Sequence, residues 1–139
     1  MNPGKVLVVD DDRDILDAIK KTLLENLHSI EVITASDGSE AVRLFEKHLP
    51  AVVVLDLMLP RRSGLLVFGD IRRKTRAGPK PEAPPIVIMI TSNQGARHRS
   101  YCLNSGVWRY FLKPFRVEDL MEAVQEAVAK AKSFEKKRR

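Results

Sequence analysis

Asp10, Asp11, Asp56, Thr91 and Lys113 are scattered along the chain, yet each ends or directly follows a short apolar run. Val6-Leu7-Val8-Val9 leads into Asp10-Asp11-Asp12, and Val52-Val53-Val54-Leu55 leads into Asp56. Ile86-Val87-Ile88-Met89-Ile90 leads into Thr91-Ser92, and Trp108 to Leu112 leads into Lys113. Runs without polar alternation mark strands buried on both faces, and in open α/β sheets ligands collect beyond the carboxyl ends of such strands. The four runs therefore bring three carboxylates, a hydroxyl and an ammonium to one rim. Carboxylates crowded in this way repel unless a cation lies among them. An all-oxygen set, with none of the His and Cys that zinc prefers, suits Mg2+ or another hard cation such as Mn2+. Asp11 and Asp56 would coordinate it directly, with a backbone carbonyl from the loop after Asp56, and Asp10 through a water.

A carboxylate in this company is arranged to accept a phosphoryl group. That transfer needs positioning and charge neutralisation more than covalent assistance, so Asp56 would attack while Lys113 and the cation balance the phosphoryl oxygens. Thr91 would donate to another oxygen. The product, an aspartyl phosphate, can bias a neighbouring loop between two arrangements, which makes switching rather than turnover the expected function.

These side chains meet only if strands and helices alternate. Asp12 can cap a helix with Ile15, Leu16, Ile19, Leu23 and Leu24 at helical spacing, ended by Leu27-His28-Ser29. Ile30 to Ala35 predicts a second strand, Ser36-Asp37-Gly38 a turn, and Ala41, Val42, Leu44 and Phe45 a second helix. Pro50 stops the chain ahead of the Asp56 strand. Gly64 to about Lys74 predicts a third helix, and Thr75 to Pro85, rich in Pro, Gly and charge, a long loop. A short polar helix from Gly95 to about Asn104 follows the fourth strand. The strand from Trp108 to Leu112 comes next, then a last helix from near Val117 with Leu120, Met121, Val124, Ala127, Val128 and Ala131 on one face. Five such units predict an α/β fold, a doubly wound five-stranded parallel sheet with five helices.

Composition agrees with one ordinary domain: 139 residues, 44% hydrophobic and 30% charged. No apolar stretch approaches the roughly 20 residues needed to cross a bilayer. The start of the chain carries no signal peptide, and the lone Cys102 is read as a small apolar helix residue, so a cytoplasmic protein without membrane contact is expected. The net charge of +6 is uneven: residues 1–60 hold 6 basic and 11 acidic side chains, residues 61–139 hold 18 and 7. Without a nucleic-acid motif or aromatics among the cations, this excess is read as a solvated face and a basic tail, Lys136-Lys137-Arg138-Arg139, with no direct nucleic-acid binding.

Taken in order, Val8-Val9-Asp10-Asp11-Asp12, Leu55-Asp56-Leu57-Met58-Leu59-Pro60 with Gly64, Ile90-Thr91-Ser92 and Lys113-Pro114-Phe115 resemble the receiver domain of two-component response regulators, in the flavodoxin-like form typified by the chemotaxis regulator. The resemblance runs from Lys5 to about Lys132, which implies a receiver over 1–132 and a basic tail or linker over 133–139. It implies Asp56 as phosphoacceptor, Asp10 and Asp11 as the acidic pair at Mg2+, and Met58 as source of the carbonyl ligand. Thr91, with Ser92 beside it, would be the switch hydroxyl, Lys113 the phosphate-binding lysine, Tyr110 the aromatic switch and Pro114 a cis-proline. A sensor histidine kinase or phosphotransfer protein would be the donor. A downstream protein would meet the face of the fourth helix, fifth strand and fifth helix, with dimerisation left open, and the only catalysis would be the domain's own phosphorylation and dephosphorylation. Three segments depart from the family's usual form: Arg61-Arg62-Ser63 makes the rim more basic, Thr75 to Pro85 is long, and Val107-Trp108-Arg109 puts a large aromatic before the fifth strand.

Plainer readings exist for the same residues. Asp10, Asp11 and Asp12 could be a helix N-terminal cluster favoured by the macrodipole, and Tyr110 a packed ring with its hydroxyl in water. His28, His48 and His98 lack metal-ligand spacing and are read as surface residues. A haloacid-dehalogenase-type phosphohydrolase also uses a strand-end aspartate with Mg2+, but its second aspartate would fall where Met58 stands. A receiver-like module that binds partners without phosphorylation is disfavoured by the intact Asp11, Asp56, Thr91 and Lys113.

Overall fold

The computed structural model describes residues 1–77, 84–92 and 95–138. Strands and helices alternate throughout: β1 (Asn2–Val9), α1 (Arg13–Asn26), β2 (Glu31–Ala35), α2 (Gly38–His48), β3 (Pro50–Asp56), α3 (Gly64–Arg76), β4 (Ile86–Thr91), α4 (Ala96–Asn104), β5 (Arg109–Leu112) and α5 (Val117–Arg138). The five strands form one parallel sheet in the order β2-β1-β3-β4-β5, the doubly wound architecture expected from the alternation.

Strand periodicity divides the core in two. Val6, Val8, Val52, Val54, Ile88 and Ile90 pack against α1 and α5, through Leu16, Ile19, Leu23, Leu120, Val124 and Ala127. Leu7, Val9, Val53, Leu55, Val87 and Met89 face the other way, onto Ala41 and Phe45 of α2, Val67, Phe68 and Ile71 of α3, and Cys102 of α4. Both faces being covered is why β1, β3 and β4 read as continuous apolar runs. Helix starts are capped where the sequence offers a short polar side chain. Asp12 accepts from the Asp14 amide at 2.9 Å, Asp37 from the Glu40 amide at 2.8 Å, and Ser63 from the Leu66 amide at 3.4 Å.

Several boundaries differ from those read in the sequence. β1 starts at Asn2 because the Asn2 amide donates to the Leu49 carbonyl at 2.8 Å, which extends pairing toward Pro50 through a register shift. Pro50 accordingly opens β3 rather than standing ahead of it, and Thr91 is the last residue of β4. Trp108 precedes β5, which begins at Arg109. α3 runs on to Arg76, into the expected loop, whose centre at 78–83 lies outside the described residues.

The largest difference in element boundaries concerns the segment read as a basic tail or linker. α5 continues unbroken to Arg138, past the expected boundary near Lys132, and Arg139 lies outside the described residues. Ala127, Val128 and Ala131 still face the core, and the Lys130 ammonium lies 5.8 Å from the centre of the Trp108 ring and 5.9 Å from that of Phe134. The large aromatic before β5 thus gives the distal helix a packing partner. No helix among the described residues is long and apolar enough to cross a membrane.

A chain cut after Gln125 is therefore expected to fold but to lose about 2–4 kcal/mol, from the buried alkyl groups removed. Urea unfolding of the two forms measures this; an unchanged midpoint would mean that the distal helix adds nothing.

Candidate phosphoacceptor and metal site

β1 and β3 lie side by side at the centre of the sheet, where the winding direction reverses: β1 leads outward to β2, while β3 leads the other way to β4 and β5. That reversal opens a crevice beyond the strand ends. The register sets Val9 opposite Leu55, so Asp10 and Asp56 leave the sheet next to each other. Both continue the strand parity of Val6-Val8 and Val52-Val54, toward the α1 and α5 side. The Asp10 amide donates to the Ala35 carbonyl at 3.1 Å and the Leu57 amide to the Ile90 carbonyl at 2.9 Å, which carries sheet pairing up to the site itself.

Asp10 is fully buried and Asp56 is 2% exposed, whereas Asp11 is open to solvent. One oxygen of each buried carboxylate is held by backbone two residues on: the Asp12 amide donates to Asp10 Oδ1 and the Met58 amide to Asp56 Oδ1, both at 2.9 Å. The other oxygens face Lys113, whose Nζ lies 2.8 Å from Asp10 Oδ2 and 3.0 Å from Asp56 Oδ2. Lys113 arrives there from the end of β5, where its amide donates to the Thr91 carbonyl at 2.8 Å and its peptide bond to Pro114 is cis.

One ammonium serves two buried carboxylates. Burial pushes the Asp56 carboxyl up to about 6; the Met58 amide and Lys113 pull it down, and the Asp10 charge adds to the rise. For Lys113, burial disfavours the ammonium, but its bonds to Asp10 and Asp56 outweigh that and hold it above its ordinary range. Asp10, Asp11 and Asp56 each offer an oxygen within 4.8 Å of the others, and Asp10 Oδ2 is buried without a well-directed hydrogen bond of its own. This all-oxygen, net-negative cluster fits a hard divalent cation.

The remaining expected residues fall into place unevenly. Thr91 is buried at the end of β4 and Ser92 is exposed just beyond it. Tyr110, half-buried on β5, pairs in register with Met89, two residues before Thr91, and packs into the α2, α3 and α4 side of the core. Burial raises its phenol above the usual range. Met58 exposes its side chain to solvent two residues past Asp56. His28 and His98 lie on the surface, and His48 Nδ1 sits 3.3 Å from Lys5 Nζ. Among the described residues the only cluster able to hold a metal is Asp10, Asp11 and Asp56.

The family model of the response regulator receiver domain matches residues 6–125. The chain belongs to that family. This receiver is 34% identical over 119 residues to the response regulator MprA of Mycobacterium sp. (strain KMS), an alignment covering 86% of the chain and 48% of that relative. The chain thus spans about half the length of the curated relatives it matches. A receiver domain protein from Clostridium thermocellum superposes with a TM-score of 0.78 at 30% identity, covering 94% of this chain and 98% of that one. The Francisella response regulator 1452 receiver domain gives 0.78 at 29% identity, covering 91% and 98%. The molecule is a receiver of two-component signalling.

Two contacts around the receiver site are not visible in residue types alone. A Cβ on Gly64 would lie 2.3 Å from the Asp56 carbonyl, and one on Gly38 would lie 2.1 Å from the Arg62 carbonyl. Gly64 reads as a helix start and Gly38 as a turn residue, whereas each also permits a backbone to approach the Asp56 loop.

A carboxyl raised by burial costs the native state stability at neutral pH. The native state binds more protons than the unfolded chain between the ordinary aspartate value and about 6, so in metal-free buffer stability falls as pH rises through that window. Asp56→Asn should remove the dependence and raise stability at pH 7.5 by up to about 3 kcal/mol. Denaturant midpoints in EDTA from pH 4 to 7.5 test this; a variant that is less stable, or equally pH-dependent, contradicts the electrostatic reading.

Proposed function

We propose that this receiver takes a phosphoryl group onto Asp56 from a histidine kinase or phosphotransfer protein, with Mg2+ held by Asp10, Asp11, Asp56 and the Met58 carbonyl, and that the phosphorylated form presents a changed protein-binding face. The observation that carries the reading is Asp56 itself: a nearly buried carboxylate at a strand end, with one oxygen on a backbone amide and the other 3.0 Å from a lysine. When bound, the metal neutralises charge on the phosphoryl oxygens.

In the proposed transfer, an Asp56 oxygen attacks phosphorus in line, the new P–O bond forming as the P–N bond of the donor phosphohistidine breaks and the imidazole leaves. Lys113 then exchanges its contact with the Asp56 oxygen for one with the phosphoryl group while Asp10 retains it. Thr91 turns its hydroxyl toward another phosphoryl oxygen. Tyr110 lies on the same side of the sheet, diagonal to Thr91, so movement of one alters the space open to the other. α4 is suited to respond. It starts at Gly95 without a side-chain cap, exposes Arg97, His98 and Arg99, and among its described side chains buries Cys102 alone. The face of α4, β5 and α5 is thus the proposed site of a downstream protein or of dimerisation.

A hydrolase of the dehalogenase type has no support here, because Met58 fills the position of its second acid and points into solvent. Incubation with a small acyl-phosphate donor and Mg2+ should add one phosphoryl mass to the wild type and none to Asp56→Asn. Full labelling of that variant, or continuous turnover of many phosphate esters, overturns the assignment.

A further inference from the structure

We infer that Arg62, one of the basic residues that set this chain apart from the usual receiver loop, is a positioning residue for the metal site. It acts by anchoring the loop that carries Met58, and the inference rests on the reading that the Met58 carbonyl and the three aspartates hold Mg2+. The loop is residues 57–63, from the end of β3 to the start of α3. Its ends are fixed: the Leu57 amide donates to the Ile90 carbonyl at 2.9 Å and the Gly64 amide to the Leu57 carbonyl at 3.0 Å. Its middle turns sharply, with the Arg62 amide donating to the Pro60 carbonyl at 2.7 Å and Arg61 at φ +68°, a left-handed conformation without the freedom of glycine. Such a turn persists only where its surroundings hold it.

Besides the packing of Leu59 against the core, three polar contacts hold it. The Gly38 amide reaches the Pro60 carbonyl at 3.5 Å, a long bond, and Arg61 Nε lies 3.9 Å from Asp37 Oδ2 with the arginine side chain 76% exposed. Neither is a strong restraint. The third is the ion pair from Arg62 to Asp70 on α3, whose carboxylate is only 12% exposed and is also bound by Arg73. The Arg62 side chain is itself 42% exposed, but a carboxylate largely withdrawn from water between two guanidinium groups holds its partner better than an open surface pair does. The Met58 side chain, 57% exposed, supplies little packing of its own; its amide is tied to Asp56 Oδ1 at 2.9 Å, and the loop backbone beyond it sets the rest of the placement of its carbonyl.

Arg73 provides the control. It binds the same carboxylate but belongs to α3, three residues on from Asp70, and not to the loop. Arg62→Gln and Arg73→Gln each remove one positive charge, a change that by electrostatics alone would tighten binding of a divalent cation. Loop positioning predicts the opposite sign for Arg62 only. Calorimetric titration of Mg2+ into the purified full chain should show affinity weakened about three- to tenfold in Arg62→Gln and not weakened in Arg73→Gln. Amide exchange of residues 58–63 should be faster in metal-free Arg62→Gln, with an unchanged melting midpoint confirming the fold. Wild-type affinity in Arg62→Gln, or equal weakening in both variants, overturns the inference while leaving the metal site standing. No Mg2+ binding by the wild type overturns the metal reading and this inference with it.

Discussion

The constraint on which the site depends is that two carboxylates are buried around one ammonium. Burial of an unpaired charge costs several kcal/mol, so Asp10 and Asp56 are tolerable only with Lys113 between them, 2.8 and 3.0 Å away. Even then one negative charge is left over, and Asp11 at the open edge adds another. The excess negative charge fits an additional cation. The position of the cluster follows from topology, since only the reversal between β1 and β3 sets two strand ends side by side with a crevice above them.

The same arrangement links Asp56 to more distant strands. Lys113 closes β5, its amide is tied to the carbonyl of Thr91, and Thr91 and Tyr110 share one side of the sheet. A shift at Asp56 therefore bears on β4 and β5 through Lys113. The helix beside them, α4, is short and polar, whereas α5 is long, packed and braced at its far end by Trp108. The fold thus places a soft element and a firm one on the same face.

Much of this was legible in the residues. Unbroken apolar runs identify β1, β3 and β4 because both faces of the sheet are covered, and the polar residue closing each run marks the rim. Asp12, Asp37 and Gly64 identify helix starts for local reasons that tertiary structure does not override. What the sequence hides is non-local. Asn2 to Lys5 lack an apolar pattern and join β1 through a bond from Asn2 to Leu49. Residues 133–138 fall in the segment read as a basic tail or linker, because its charge masks the continuation of a helix whose Ala127, Val128 and Ala131 are buried. Asp70 looks like any polar residue on a helix, and only the fold brings it to Arg62.

The central claim, that burial and crowding at the strand ends prepare Asp56 for a cation and a phosphoryl group, can be read from the titration of that one carboxyl. Carboxyl carbon resonances of labelled protein, assigned through Asp56→Asn, report it with and without Mg2+. The expected result is a midpoint near 6 in metal-free buffer, moving downward when Mg2+ is added. An ordinary aspartate midpoint in metal-free buffer, unmoved by Mg2+, would contradict the account.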